Sequence, residues 1–164
     1  MSKVINEPKN KEPALVDYRG QLEHRALWLL LLCREAEKKG LKWEDFACDA
    51  IAENGRIDGE SILQAKGRTL EGLYETVFTP LTQKVFEMEV KEHTDKTLYV
   101  DFHYCPLVKA WQKQGCSDEE IARLCDIAMC GDHNIIKVFG GVLELPQCIA
   151  KGDKICELKF RIPD

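Results

Sequence analysis

Residues Phe86–Cys105 read FEMEVKEHTDKTLYVDFHYC, and this stretch decides the fold. Phe86, Met88 and Val90 alternate with Glu87, Glu89 and Lys91, and Leu98, Val100 and Phe102 alternate with Tyr99, Asp101 and His103. A period of two puts successive side chains on opposite faces, so two half-buried strands are expected, over 84–91 and 97–104. His93-Thr94-Asp95-Lys96 supplies the hairpin turn between them. Downstream, Val142 to Ala150 and Ile155 to Ile162 read as a second strand pair. A two-residue turn at Gly152-Asp153 is expected there, with Cys156, Leu158, Phe160 and Ile162 facing the core.

Helical periodicity holds elsewhere. Upstream, a long helix is expected from about Ala14 to Lys39, before Gly40, with Leu15, Leu22, Ala26, Leu29, Leu30 and Cys33 on its apolar face. A second is expected over Lys42 to Asn54, ended by Gly55, and a short one from Leu70 to Phe78. Between the strand pairs, Pro106 suits the first turn of a helix ended by Gly115. Ser117-Asp118-Glu119-Glu120 is a capping box that opens another, read as closing at Gly131. The expected architecture is α+β: N-terminal helices, then a four-stranded antiparallel sheet with helices packed on one face. Residues 1–13 are expected as a flexible tail and 14–164 as a single domain.

Composition narrows the function. The chain has 164 residues, with 45% apolar and 31% charged residues and a net charge of −5. This is a globular balance with no basic patch for nucleic acid. The longest apolar run, Ala26 to Cys33, is too short to span a bilayer. No apolar leader precedes it, so a cytoplasmic protein is expected. Its eight cysteines are then expected to be reduced thiols, and the paired CxxC spacing of a structural zinc site is absent. Cys33, Cys48, Cys116 and Cys148 read as non-catalytic.

On the extended reading, Asp101, His103 and Cys105 form a row on one strand face. Cys105 also sits at the N-cap of the helix opened by Pro106, where unpaired N–H groups favour a thiolate. A thiolate beside a histidine suits a nucleophile and base pair, and Cys105 is expected to be the most reactive thiol. The competing reading is a solvated strand face with a cysteine filling space. Asp132 and His133, placed in a turn after Gly131, add a carboxylate and an imidazole, and Cys125 points inward. All four site residues Asp101, His103, Cys105 and Asp132 are expected to approach one pocket. Asp101, His103, Cys105, Asp132 and His133 are all metal-ligand types, but no HxxxH or HExxH pairs them, so no cofactor is predicted. A catalytic divalent metal, or a metal- or cofactor-carrying role, stays open as an alternative.

The ordered series Cys105-Pro106, Trp111, Gly115, Leu124-Cys125-Asp126, Gly131-Asp132, Ile149-Ala150-Lys151-Gly152-Asp153, Cys156 and Phe160 resembles the L-2-amino-thiazoline-4-carboxylic acid hydrolase family over roughly 99–162. The closing hairpin is also similar to the 4-vinyl reductase ligand-binding domain. The first resemblance implies hydrolytic opening of a 2-aminothiazoline carboxylate to N-carbamoyl-cysteine. Two routes fit the residues: attack by Cys105, or attack by water deprotonated by His103 with Asp132. Asp101, Cys125 and His133 are then expected to bind substrate. The second resemblance implies a non-catalytic small-molecule-binding or sensor domain. Either way the expected partner is a small molecule, and a homo-oligomer is compatible with both.

Overall fold

The computed structural model describes residues 2–163. Four helices come first: α1 (Pro13–Lys38), α2 (Trp43–Lys66), α3 (Leu70–Val77) and α4 (Pro80–Phe86). Strands β1 (Met88–His93) and β2 (Thr97–Phe102) follow, then α5 (Pro106–Lys113) and α6 (Asp118–Val138). Strand β3 (Val142–Gln147), a single 3-10 turn (Ile149–Lys151) and β4 (Cys156–Arg161) complete the chain. The antiparallel sheet has the order β1-β2-β4-β3, so the two hairpins join through β2 and β4.

The alternation in the sequence sets the register. Leu98 faces Phe160 and Val100 faces Leu158 across the central pair, and all four are buried. Cys156 and Ile162 extend the same inward row, as expected. The opposite face is polar: the Arg161 Nε donates to the Tyr99 hydroxyl at 2.6 Å, and its guanidinium stacks over the Tyr99 ring. Helical side chains cover the inward face, with Phe78 edge-on to Phe160 at 5.6 Å.

The first strand, expected over 84–91, begins four residues late, at Met88. Phe86 ends α4, because Thr79 caps that helix through its side chain and Pro80 begins it. Glu87 then takes a left-handed φ of 50°, unusual for a residue with a Cβ. Its carboxylate accepts from the Asn10 N–H at 2.7 Å and lies 3.2 Å from the Arg19 guanidinium, which holds it there.

Two glycines expected to end helices lie inside them instead. Gly55 is within α2 and Gly131 within α6. Both are buried where the two helices cross, and a Cβ on Gly55 would stand 2.1 Å from the Gly131 carbonyl oxygen. Gly59 repeats the contact against Ile135. This close approach corrects the expectation of eight free thiols: Cys48 of α2 and Cys130 of α6 form a disulfide with their Cα atoms 5.7 Å apart. The bridge needs neighbouring backbones at such a separation, and the glycine contact supplies it.

The segment expected as a flexible tail is also corrected over its described residues. Val4 and Asn6 are buried. The Lys3 N–H donates to the Asp118 carboxylate at 2.6 Å, and the Gln112 amide donates to the Val4 carbonyl at 2.9 Å. Arg19, buried in α1, donates to the carbonyls of Val85 and Asn10 and stacks 4.5 Å over the Tyr104 ring. Finally, the tight turn expected at Gly152-Asp153 is a wider connection. Gly152 adopts a φ of 97° after the 3-10 turn, and the Asp153 carboxylate accepts from the Cys148 N–H at 2.8 Å.

Candidate active site: a cluster of buried thiols

Strand β2 stops at Phe102, and this decides which of the expected residues meet. Beyond it the His103 and Tyr104 N–H groups donate to the carbonyls of Glu87 and Phe86, and the Tyr104 ring enters the core beneath Arg19. The chain has left the pleat, so the row of three is broken. Asp101 stays on the outer sheet face under Lys91, whose Nζ is 3.6 Å away. His103 lies 3.5 Å from the Glu89 carboxylate on that same face. Cys105 turns the other way and packs against the core.

Cys105 is held by its own backbone. Asn6 brackets it, accepting from the Cys105 N–H at 2.9 Å and donating to the Cys105 carbonyl at 2.8 Å. The N–H groups of Val108 and Leu107, in the first turn of α5, favour the thiolate as expected, but burial outweighs them and pushes the thiol up to about 11. The negative charges of Cys148 and Asp132 push in the same direction. The helix-end effect is small when set against desolvation, and the expected modest preference for a Cys105 thiolate is reversed.

Cys105 belongs to a group with Cys125 of α6, Cys148 at the end of β3 and Cys156 at the start of β4. The Cys125 and Cys148 sulfurs are 3.7 Å apart. The Cys156 sulfur accepts from the Ile149 N–H at 3.3 Å. Within the group the surroundings favour the thiolate at Cys148. Hydrogen bonds from Cys125 and then Cys156 pull the Cys148 thiol well below the ordinary range, and the N–H groups of Ala150 and Lys151 add to this against the cost of burial. Cys125 and Cys156 are pushed up for the complementary reason: each hydrogen-bonds to Cys148, and burial adds to the effect. Lys151, paired with Asp126 at 2.7 Å, also feels the charge of Cys148.

Asp132 approaches this group from α6. Burial raises its carboxyl to about 6, against the opposing influences of its own backbone hydrogen bond and of Arg25. That is the range in which a carboxyl gives and takes protons near neutrality. Asp132 and His133 lie inside the continuous α6 and not in a turn after Gly131, since that glycine serves helix packing. His133, one position along the helix, is exposed. Of the expected site residues, the fold therefore gathers Cys105, Cys125 and Asp132, and leaves Asp101, His103 and His133 outside. Cys148 and Cys156 were missed. Cys156 was legible as a core-facing position of β4, but Cys148 enters only because β3 ends in a 3-10 turn.

A family model described as L-2-amino-thiazoline-4-carboxylic acid hydrolase matches residues 19–160. The chain belongs to that hydrolase family. The matched span encloses every member of the thiol group and Asp132, so the cluster lies wholly within the hydrolase family domain. Among solved structures, a trafficking protein particle complex subunit 3 from Naegleria fowleri, covalently bound to palmitic acid, shares the fold. The TM-score is 0.51 at 14% identity, covering 87% of this chain and 95% of that one. Among curated proteins, none matches this sequence. No helix among the described residues is long and apolar enough to cross a membrane, and none of their His, Cys, Asp and Glu side chains group as a metal-binding set. The open depression between α1 and α5, lined by Gly20, His24, Leu27 and Lys113 among others, includes no member of the cluster.

Proposed function

We propose that this chain is a small-molecule hydrolase that opens a cyclic amidine or amide such as 2-amino-thiazoline-4-carboxylate, with the thiol cluster as its reaction centre. The observation that carries this reading is the meeting of Cys125 and Cys148, with their sulfurs 3.7 Å apart, beside Cys105, Cys156 and the Asp132 carboxyl. The donors around Cys148 favour its thiolate. A thiolate is the nucleophilic form of cysteine, and the donors around Cys148 keep it available at neutral pH.

The reaction follows from the bonds to be exchanged. The Cys148 sulfur attacks the ring carbon between nitrogen and sulfur, and the bond from that carbon to the ring sulfur breaks. The departing sulfur takes a proton from Asp132 or Cys105. Water then adds to the same carbon, the Cys148 sulfur leaves as thiolate, and the urea product departs with one free thiol. Net, one water is consumed and the cluster is restored. The N-terminal segment lies over this region: Asn6 brackets Cys105, and Lys3 stands where a side chain on Gly152 would reach. Substrate entry then requires this segment to lift.

The test is turnover of 2-amino-thiazoline-4-carboxylate and related cyclic amidines, read as appearance of a new thiol and as a product heavier by one water. Turnover that is lost in Cys148→Ser and slowed in Asp132→Asn supports the reading, and turnover unaffected by either substitution removes the cluster from the chemistry. A second reading comes from the shared fold: a thioester to a fatty acyl group on one buried thiol, as the palmitic acid of the structural neighbour suggests. It is favoured instead if purified protein carries a hydroxylamine-labile acyl mass and no cyclic amidine turns over.

A further inference from the structure

Beyond its place in the proposed hydrolysis, the thiol group has the arrangement of a redox pair. We propose that Cys125 and Cys148 are joined by peroxide into a reversible second disulfide, distinct from the Cys48–Cys130 bridge. The two sulfurs already lie 3.7 Å apart, and a disulfide needs about 2.05 Å, a change within reach of side-chain rotation at each residue. The residues belong to different elements, Cys125 to α6 and Cys148 to the end of β3, so the bond would tie the helix layer to the sheet.

The choice of partners follows from their surroundings. Cys156 also hydrogen-bonds to Cys148, but it is buried and its sulfur is occupied by the Ile149 N–H at 3.3 Å. Cys105 is anchored at its backbone by Asn6. Cys125 is half-buried, and among the described residues the partner of its sulfur is Cys148 itself. The Lys151 ammonium near the pair suits an anionic sulfur before reaction.

The chemistry balances with hydrogen peroxide as the oxidant. The Cys148 thiolate attacks one peroxide oxygen, the O–O bond breaks, and hydroxide leaves and is protonated to water. Cys148 is now a sulfenic acid, oxidised by two electrons. The Cys125 sulfur attacks the Cys148 sulfur, the S–O bond breaks, and a second water leaves with the Cys125 proton. Two thiols and one peroxide give one disulfide and two waters. A dithiol reverses the product by exchange. The proposal rests on the positions of the sulfurs and stands whether or not the protein hydrolyses a cyclic amidine.

The experiment uses the full chain. Protein treated with mild reductant is freed of it, exposed to stoichiometric hydrogen peroxide, alkylated in denaturant and cut before aspartate. That cleavage separates Cys125 from Cys130 at Asp126, and Cys148 from Cys156 at Asp153. The expected result is a linked pair of peptides, 118–125 with 132–152, becoming the main form of the Cys148 peptide and disappearing on dithiothreitol treatment. In Cys125→Ser, Cys148 is expected to pass on to sulfinic acid. Linkage of Cys148 to Cys156, sulfinic acid at Cys148 in the unaltered chain, or persistence of both thiols overturns the proposal.

Discussion

Gly55 of α2 and Gly131 of α6 meet backbone to backbone: a Cβ on the first would lie 2.1 Å from the carbonyl oxygen of the second. Neither glycine uses a positive φ, so the requirement is for space alone. Helices that approach this closely bring Cys48 to Cys130 on one side and place Asp132 beside the thiol cluster on the other.

Gly55→Ala is therefore expected to destabilise the fold by about 1–3 kcal/mol, the usual range for overpacking a close contact. Gly20 of α1 is the control, because a Cβ there meets nothing within 4 Å. Gly20→Ala is expected to stabilise by roughly 0.5–1 kcal/mol through helix propensity. Urea unfolding of the two variants checks this. Equal and small effects at both positions would show that the helices yield without cost.

The disulfide closes a sequence separation of 82 residues. Cross-linking a loop of this length restricts the unfolded chain strongly, and Cys130→Ser is expected to cost about 2–4 kcal/mol. The glycine contact remains in the variant, so the folded structure is expected to persist with a lower Tm. Circular dichroism should show unchanged helix content at 25 °C and an earlier thermal transition. Loss of helix at 25 °C would mean that the bridge builds the contact, not the reverse.

Much of this fold was legible because apolar periodicity reports burial directly. Leu98, Val100, Leu158 and Phe160 alternate, and their alternation places β2 and β4 at the sheet centre. The Ser117–Glu120 capping box likewise marked the start of α6, and the structure contains both of its hydrogen bonds. Gly55 and Gly131 misled because a glycine that ends a helix and one that admits another helix look alike in sequence. The difference lies in a partner some 75 positions away. The site suffered from a similar ambiguity. Alternation alone carried β2 through Cys105, while the tertiary cause of its early end, burial of Tyr104 under Arg19, is not local. Cys125 was reached because the inward face of its helix was read correctly, and Asp132 was reached although the helix was expected to close before it at Gly131. Cys148 was lost with the 3-10 turn that positions it.

Asp132 gives a pH dependence whose sign is fixed. Its folded carboxyl titrates at about 6, above its ordinary 3.8, so between these values the folded state holds more of the proton than the unfolded one. Its contribution to stability is complete below about 3.8 and is lost as pH rises through 6, with no further change above. Asp132→Asn removes the ionisation and is expected to gain stability at pH 7.5, on the order of 1–2 kcal/mol once the partial exposure of the side chain is allowed for, with little gain at pH 4. Urea midpoints of both proteins at the two pH values measure the difference. A gain that is the same at both would assign it to something other than the charge.

Asn6 and Cys105 make the last prediction. The Asn6 side chain both accepts from and donates to the Cys105 backbone, at 2.9 and 2.8 Å, and Asn6 is only 2% exposed. Asn6→Ala removes both bonds and leaves a buried N–H and carbonyl at the start of α5, a loss of about 1–3 kcal/mol. The loss is expected to be local. Detaching the N-terminal segment admits water to Cys105 and relieves the burial that pushes its thiol up, so its alkylation should accelerate. Cys33, buried in α1 and away from the segment's hydrogen bonds, should keep its rate. Peptide mass spectrometry after timed iodoacetamide treatment separates these sites. Acceleration at Cys105 alone would identify residues 2–7 as the cover of the thiol cluster. Equal acceleration at Cys105 and Cys33 would mean that the whole domain has loosened, and the covering role would then fail.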